Sequence, residues 1–295
     1  MRTIAVLGGS GFIGSHLVDK IIEEGDKPVI FDRFKKNDSN PKADIFLGDV
    51  CDAEAVNYIV GHTDASINLA GILGTMETVD NPAPSVKVNV LGALNYLQAV
   101  RENDKKAVQI TVGNHYMNNS YSITKSTAER LALMFNVEHG TKIGVIRALN
   151  AYGERQKHKP VRKVIPSFIH RALEGKPIEI FGNGEQIMDM IYVKDVADVL
   201  YRAMTTNYDY YKVYEAGTGR KTTINEIAQI VSNCIPDSEI KHIPMRAGEP
   251  DNSVVIGDPS TLWSLYGRVP KLTKIEDVMP DIVQWYRENK VKSTS

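Results

Sequence analysis

The chain opens on an apolar run, Thr3–Leu7, and continues from Phe12 to Glu24 with apolar residues at helical spacing: Ile13, Leu17, Ile21 and Ile22. Pro28–Phe31 and Asp44–Leu47 predict a second and a third strand. Ala53–Ile59 predicts a helix with Asp52 as its N-cap, and Ala65–Leu69 a fourth strand. Ala83–Arg101 reads as a long helix, Ala107–Val112 as a fifth strand, Ser122–His139 as a helix and Lys142–Ile146 as a sixth strand. Strands alternating with helices at this rhythm predict a parallel sheet covered on both faces. After Ala151 the rhythm loosens. A polar, proline-bearing segment, Tyr152–Pro166, leads to a helix near Ser167–Glu174 and a strand near Ile178–Phe181. Ile191–Val193 and Lys212–Glu215 are further strands that can return to the main sheet. A helix at Thr223–Asn233, opened by Thr222 or Thr223, and another near Asp281–Glu288 follow, and Val291–Ser295 is expected to fray.

Composition narrows the function classes. Of 295 residues, 42% are hydrophobic and 24% charged, as in ordinary globular enzymes. The net charge of -1 gives no overall pull toward nucleic acid or an anionic membrane, so a bound phosphate must be held by local geometry. Two cysteines, Cys51 and Cys234, make no disulfide framework, and neither they nor the scattered histidines have metal-ligand spacing. No apolar run approaches the ~18 residues of a membrane span, and no leader pattern precedes the first strand. These features point to the cytoplasm.

The first strand runs directly into Gly8-Gly9-Ser10-Gly11-Phe12-Ile13-Gly14. Glycine suits this place because the turn is tight, the backbone must approach a pyrophosphate, and the helix must pack closely on the strand. The free N–H groups and dipole at the helix start then hold the anion. Asp32 ends the second strand, where a carboxylate accepts hydrogen bonds from the adenosine ribose and repels a 2′-phosphate. That predicts NAD, although the neighbouring Arg33 is a residue type that can serve NADP.

Tyr121 and Lys125 stand at i and i+4, so phenol and ammonium share one helical face. A nearby cation favours the phenolate, which would equip tyrosine to exchange a proton with a substrate hydroxyl.

In this order the motifs resemble the extended short-chain dehydrogenase/reductases, specifically the NAD-dependent epimerase/dehydratase family. Beyond GGSGFIG and YSITK, the likeness includes Gly48-Asp49-Val50, Asn68-Leu69-Ala70-Gly71, Arg147-Ala148-Leu149-Asn150-Ala151-Tyr152-Gly153, Val164-Ile165-Pro166, Gly182-Asn183-Gly184-Glu185-Gln186, Ile191–Ala197 and Arg246-Ala247-Gly248-Glu249-Pro250. The resemblance implies a Rossmann-type α/β fold, a doubly wound parallel sheet with a smaller C-terminal α/β substrate domain. It divides the chain into an NAD-binding domain (1–165 and 186–216) and a sugar-nucleotide domain (166–185 and 217–295). It also places Gly8, Gly11, Phe12, Ile13, Gly14, Asp32, Arg33, Asp49, Val50, Leu69, Ala70, Gly71, Asn89, Tyr121 and Lys125 around the cofactor, and Asn150, Val164 and Arg246 around a sugar-nucleotide substrate. Arginine fits the last role because its rigid fork matches phosphate oxygens.

Two departures bear on the reaction. The stretch between the fifth strand and Tyr121 is short, and Thr111 is the only hydroxyl near the family's third catalytic position. If Gly113 occupies that position instead, Asn114 or His115 is the donor. Val112-Gly113 stands where family dehydratases carry an Asp-Glu pair, and the nearby glutamate of decarboxylases is also absent. Met188 stands where a second family arginine precedes an aspartate. The resemblance therefore implies an NAD-dependent epimerase acting at C4 of a UDP-sugar, working as a homodimer. A dehydratase, decarboxylase or 4-ketoreductase is the alternative, and a non-catalytic dinucleotide sensor a further one. The basic run Arg155, Lys157, His158, Lys159, Arg162 and Lys163 reads chiefly as a solvated loop.

Overall fold

The computed structural model describes residues 1–35, 39–74, 77–245 and 252–289. The expected fraying of Val291–Ser295 falls outside them. In chain order the strands and helices are β1 (Thr3–Leu7), α1 (Phe12–Glu23), β2 (Lys27–Asp32), β3 (Asp44–Leu47), α2 (Ala53–Gly61), β4 (Ala65–Asn68), α3 (Ala83–Ser85), a π-helical stretch (Val86–Gly92), α4 (Ala93–Glu102), β5 (Lys106–Val112), α5 (Ser120–His139) and β6 (Lys142–Ala148). They continue with β7 (Asn150–Tyr152), α6 (Val164–Leu173), β8 (Ile178–Phe181), β9 (Ile187–Met188), β10 (Met190–Tyr192), α7 (Val193–Thr205), β11 (Val213–Ala216), β12 (Thr222–Thr223), α8 (Ile224–Cys234), β13 (Ile240–Ile243), β14 (Val254–Val255), α9 (Trp263–Tyr266) and α10 (Ile275–Asn289).

Two compact units emerge, each assembled from three chain segments. The first comprises residues 1–148, 194–216 and 259–270; the second comprises 149–193, 217–258 and 271–295.

The first unit is a seven-stranded sheet in the order β11-β6-β5-β4-β1-β2-β3, with every neighbouring pair parallel. This is the doubly wound arrangement, and its order reverses between β1 and β4. Ligands of such sheets bind at the crevice outside the carboxyl ends of the strands at that reversal. Both faces are covered, so the strands read as unbroken apolar runs: Ile4, Ala5, Val6 and Leu7 have no exposed surface. On one face Ala5, Leu7, Phe31, Val56, Val60, Tyr96, Leu97, Val100 and Val145 pack together. Full burial of each large aliphatic side chain contributes about 1.5–3 kcal/mol. The Tyr96 hydroxyl, also buried, meets Ser66 Oγ at 3.1 Å and the Val108 carbonyl at 3.3 Å. The second unit holds a two-stranded sheet β10-β7, a three-stranded sheet β12-β9-β14 and a two-stranded sheet β13-β8.

Several expectations are sharpened. Asp52 caps α2, accepting from the backbone N–H of Glu54 and Ala55, each at 3.1 Å. Thr223, not Thr222, caps α8, in a reciprocal capping box with Glu226. β11 joins the main sheet beside β6, whereas β10 pairs with β7 away from it. α6 begins at Val164 rather than Ser167, because Pro166 falls in the first turn, where its missing N–H has no intrahelical partner to lose. α10 begins at Ile275 and carries Pro280 inside it. Burial of Ile275, Met279, Ile282, Val283 and Tyr286 along one side offsets the lost bond.

Candidate active site

The loop after β1 is shaped by contacts that exclude side chains. Gly8 donates to the Phe31 carbonyl at 2.8 Å and Gly11 to the Gly8 carbonyl at 2.9 Å. Gly8 has φ +80°, and a Cβ there would lie 2.8 Å from the Ala70 nitrogen. A Cβ on Gly14 would run into the Gly8 carbonyl oxygen and sit 2.8 Å from the Gly9 Cα. Gly11, the N-cap of α1, provides no side-chain cap, and no acidic residue lies in the first turn. The positive helix end is therefore open to an anion, and the cradle fits the pyrophosphate of a dinucleotide. Phe12 and Ile13 open α1, where the backbone N–H groups of the first turn have no intrahelical partner; the Phe12 ring packs edge-on against His16 (centroids 5.9 Å apart).

Asp32, at the carboxyl end of β2, accepts from the Ser10 N–H at 3.0 Å and the Phe34 N–H at 3.4 Å. The carboxylate thus ties the cradle to β2 and remains partly exposed, as a ribose diol requires. Arg33 is exposed, its guanidinium 5.4 Å from the centre of the Phe34 ring. In the next crossover Asp49 accepts from the Cys51 N–H at 2.9 Å. That bond is the main cause holding its carboxyl below the usual range, with help from the charges of Arg33 and Lys87. The Val50 side chain is buried in the core and its carbonyl accepts from Asn95 at 3.0 Å. An Asp32→Asn variant, which keeps an acceptor for Ser10 but removes the charge, is expected to bind NAD about tenfold more weakly. It should also narrow the gap between NAD and NADP; titration calorimetry with both dinucleotides measures each effect.

Leu69-Ala70-Gly71 follows β4 along the same sheet edge. Leu69 donates to the Leu7 carbonyl at 2.8 Å, and Ala70 donates to Asn68 Oδ1 at 3.1 Å. Asn68 is buried and donates in turn to Gln109 Oε1 at 3.0 Å. Its positioning role was visible only as one letter of the Asn68–Gly71 motif. Asn89 lies in the π-helical stretch Val86–Gly92, a geometry that is rare and often found at functional sites. Its amide accepts from the Ile72 N–H at 2.8 Å and donates to the Ile72 carbonyl at 3.1 Å and Thr124 Oγ1 at 3.0 Å. Asn89, expected beside the cofactor, holds the Gly71–Ile72 loop with its side chain.

α5 starts at Ser120, with Asn119 Oδ1 capping the Ser122 N–H at 2.9 Å. Tyr121 is partly buried and Lys125 is 4% exposed. A Cβ built on Gly71 would lie 3.1 Å from Asn89 Oδ1 and 3.7 Å from Lys125 Nζ, so glycine leaves the ammonium its place. Burial pulls the Lys125 ammonium down to about 8 and pushes the Tyr121 phenol above its ordinary value. The expected lowering of the tyrosine by its lysine is thus not seen: burial is the one cause that acts on the phenol, and it raises it.

The lysine shift has a consequence for stability. Between pH 8 and the ordinary lysine value of 10.5 the unfolded chain holds a proton on Lys125 that the folded chain has released, so stability rises with pH across that window. Relative to a Lys125→Met variant, the wild type is expected to gain unfolding free energy from pH 8 to 10, read by denaturant titration at each pH.

Thr111, Asn114 and His115 are the candidates for the third catalytic residue. Thr111 is 2% exposed and donates its hydroxyl to Glu129 Oε2 at 2.8 Å, so it faces a buried carboxylate. Asn114 and His115 lie in the partly exposed turn before α5. Asn114 Nδ2 is 3.7 Å from Met117 Sδ, His115 Nδ1 is 3.2 Å from the Gly113 carbonyl, and Ser126 Oγ donates to the His115 carbonyl at 2.8 Å.

In the second unit, Asn150 Nδ2 donates to the Asp189 carbonyl at 3.1 Å. Asp189 is fully buried and accepts from Thr218 (N–H 2.9 Å, hydroxyl 2.5 Å), Gly219 (2.8 Å) and Gly257 (3.0 Å), so it anchors two loops. Val164 is the first residue of α6 and partly buried. Arg246 lies outside the described residues. No group of three His, Cys, Asp or Glu among the described residues is placed to hold a metal ion.

A glycine cradle, a carboxylate after β2 and a Tyr-x-x-x-Lys helix on a doubly wound sheet define a dinucleotide-dependent enzyme of the short-chain dehydrogenase/reductase class. The model of the NAD dependent epimerase/dehydratase family matches residues 4–217, and the chain belongs to that family. A Methanocaldococcus jannaschii protein named "Putative UDP-glucose 4-epimerase" is 34% identical over 257 residues, covering 78% of this chain and 81% of its own. A UDP-N-acetyl-alpha-D-glucosaminuronate decarboxylase of Bacillus cytotoxicus is 26% identical, covering 96% of this chain and 97% of its own. Among solved structures, UDP-glucose 4-epimerase of Thermotoga maritima with UDP-glucose superposes with a TM-score of 0.89 at 29% identity, covering 98% of this chain and 99% of its own.

Proposed function

We propose that the protein interconverts the C4 epimers of a UDP-sugar. The observation that carries this reading is the helix that bears Tyr121 and Lys125 one turn apart, with the Lys125 ammonium beside Gly71 in the same unit as the glycine cradle and Asp32. NAD, held by Gly8–Gly14 and Asp32, supplies a hydride acceptor that can also return the hydride. Tyr121 Oη takes the proton of the sugar's C4 hydroxyl and gives it back once the other face of the resulting ketone is presented. Lys125 Nζ, buried and depressed to about 8, supplies the charge that stabilises the phenolate as it forms. Asn150, Val164 and Arg246, the residues that the family resemblance marks, are the proposed contacts to the nucleotide sugar.

Relatives include epimerases and decarboxylases. Epimerisation is favoured because Val112-Gly113 stands where family dehydratases carry their Asp-Glu pair, and the nearby glutamate of decarboxylases is also absent. The intact pair argues against a sensor, which needs no general base. We further propose a homodimer through the 83–102 rod and α5, whose Val86, Leu91, Ile123, Met134 and Val137 are exposed, and residence in the cytoplasm, consistent with two free cysteines. The test is incubation with UDP-glucose, UDP-galactose and their N-acetylated counterparts, followed by proton NMR. The expected result is a new epimer without net NADH; the absence of any epimer across that panel refutes the reading.

A further inference from the structure

Thr111, Arg147 and Glu215 sit side by side where β5, β6 and β11 run in register. Glu129 reaches this row from α5 and is 5% exposed. It accepts three hydrogen bonds: from Thr111 Oγ1 at 2.8 Å, Arg147 Nε at 2.9 Å and Arg147 Nη2 at 2.6 Å. The remaining guanidinium arm donates to Glu215 Oε1 at 3.0 Å. A guanidinium fork on a carboxylate fixes orientation as well as distance. The pairing also holds the Arg147 guanidinium more firmly charged than usual, with the Glu129 bonds the largest cause.

Stability is a weak explanation for such an arrangement. Removing two charges from water is costly, and a buried ion pair can often be exchanged for apolar side chains of similar volume without loss. Its place on α5 is more telling. Glu129 follows Lys125 by four residues and Tyr121 by eight, about 6 Å and 12 Å along the helix. A two-pronged clamp there stops α5 from sliding or turning on the sheet. Sliding would break three bonds to a buried carboxylate at once.

We propose that Glu129 and Arg147 are positioning residues that set the register of α5 on the sheet, and thereby the placing of Tyr121 and Lys125. The inference rests on the functional reading of that pair given above. Displacement of about 1 Å at a reacting group can cost on the order of 10²-fold in rate, so loss of the clamp is expected to appear in kcat rather than in KM.

The test compares the wild type with the double variant Glu129→Leu/Arg147→Met, which removes both buried charges together, and with Arg147→Lys, which keeps the charge but loses the fork. Thermal melting, kcat and KM for the epimer pair are measured. The Tyr121 phenolate midpoint is also followed, as the ultraviolet absorbance difference from the corresponding Tyr121→Phe protein. The double variant is expected to melt close to the wild type, with kcat about 10- to 100-fold lower, KM little changed and a displaced phenolate midpoint. Arg147→Lys should fall in between. A folded double variant with wild-type kcat and midpoint overturns the proposal. Should the double variant not fold, Thr111→Val removes one of Glu129's three donors and leaves the ion pair. A fall in kcat of about threefold at constant KM then supports the clamp, and an unchanged kcat overturns it. If the wild type epimerises no UDP-sugar, the functional reading has failed, and the phenolate midpoint, which needs no sugar, still decides whether the clamp places Tyr121.

Discussion

A Tyr121→Phe protein is expected to fold normally, bind NAD with nearly unchanged affinity, and turn over UDP-sugar on the order of 10³-fold more slowly than the wild type. The substitution removes one oxygen from a partly buried side chain on the first turn of α5, whose cap comes from Asn119 and not from the phenol. Melting temperature is therefore expected to stay within a few degrees. General acid–base catalysis by a placed side chain contributes about 10²–10⁴-fold, and phenylalanine can neither take nor return the proton. Because burial holds the phenol above its ordinary value in the protein alone, the neutral form waits for substrate, and proton removal depends on charge gathered at the site. Steady-state kinetics combined with NAD calorimetry separate the two effects. A variant that retained full turnover would move the general base to another residue and leave Lys125 without its proposed partner.

The second large effect is expected from one methyl group. Gly14→Ala should lower NAD affinity by more than about 100-fold and reduce the melting temperature by several degrees. The new Cβ would meet backbone, the Gly8 carbonyl and the Gly9 Cα, and not the movable end of a side chain. Overpacking of this kind typically costs about 1–3 kcal/mol. Relief requires α1 to back away from the loop, which moves the N–H groups that would cradle the pyrophosphate. Calorimetric titration of NAD together with thermal unfolding distinguishes a damaged cradle from a damaged fold. Tight NAD binding by a stable Gly14→Ala protein would show that the anion is held elsewhere.

The first half of the molecule was legible in the sequence for a physical reason. Central strands of a parallel sheet are buried on both faces, so they appear as apolar runs, as β1 does; the edge strand β3 has no buried residue and was legible from its Ile45-Phe46-Leu47 run alone. α7, Val193–Thr205, did not enter the expectations, although Val196, Val199, Leu200 and Ala203 are fully buried along it. The apolar stretch Ile191–Val193 masked its start. The short strands β9, β12 and β14 have two residues each, too few to show any period.

Within the site, Tyr121, Lys125, Asp32 and the glycines carried recognisable spacing, whereas Thr111 did not reveal which way its hydroxyl points. That direction is set by Glu129, eighteen residues downstream, and by Arg147 on the neighbouring strand. Asn89 is similar: a buried amide whose partners are backbone groups of a loop seventeen residues earlier and the Thr124 hydroxyl on α5, thirty-five residues later. Motifs locate side chains on elements; partners that come from distant elements are invisible to them.

The place of β11 also bears on synthesis. A nascent chain that has emerged only as far as Ala148 already contains six of the seven main-sheet strands, but β6 then ends the sheet with its outer N–H and C=O groups unpaired. Its cover, Val213–Ala216, is made some sixty-five residues later, after the β7–β10 segment has been translated. Bare apolar edges of this kind invite pairing with other chains. Truncation products ending between β6 and β11 are thus inherently prone to aggregate, and the complete sheet exchanges that seven-residue edge for the four-residue β11, whose Glu215 N–H is occupied by Thr261 Oγ1 at 2.9 Å.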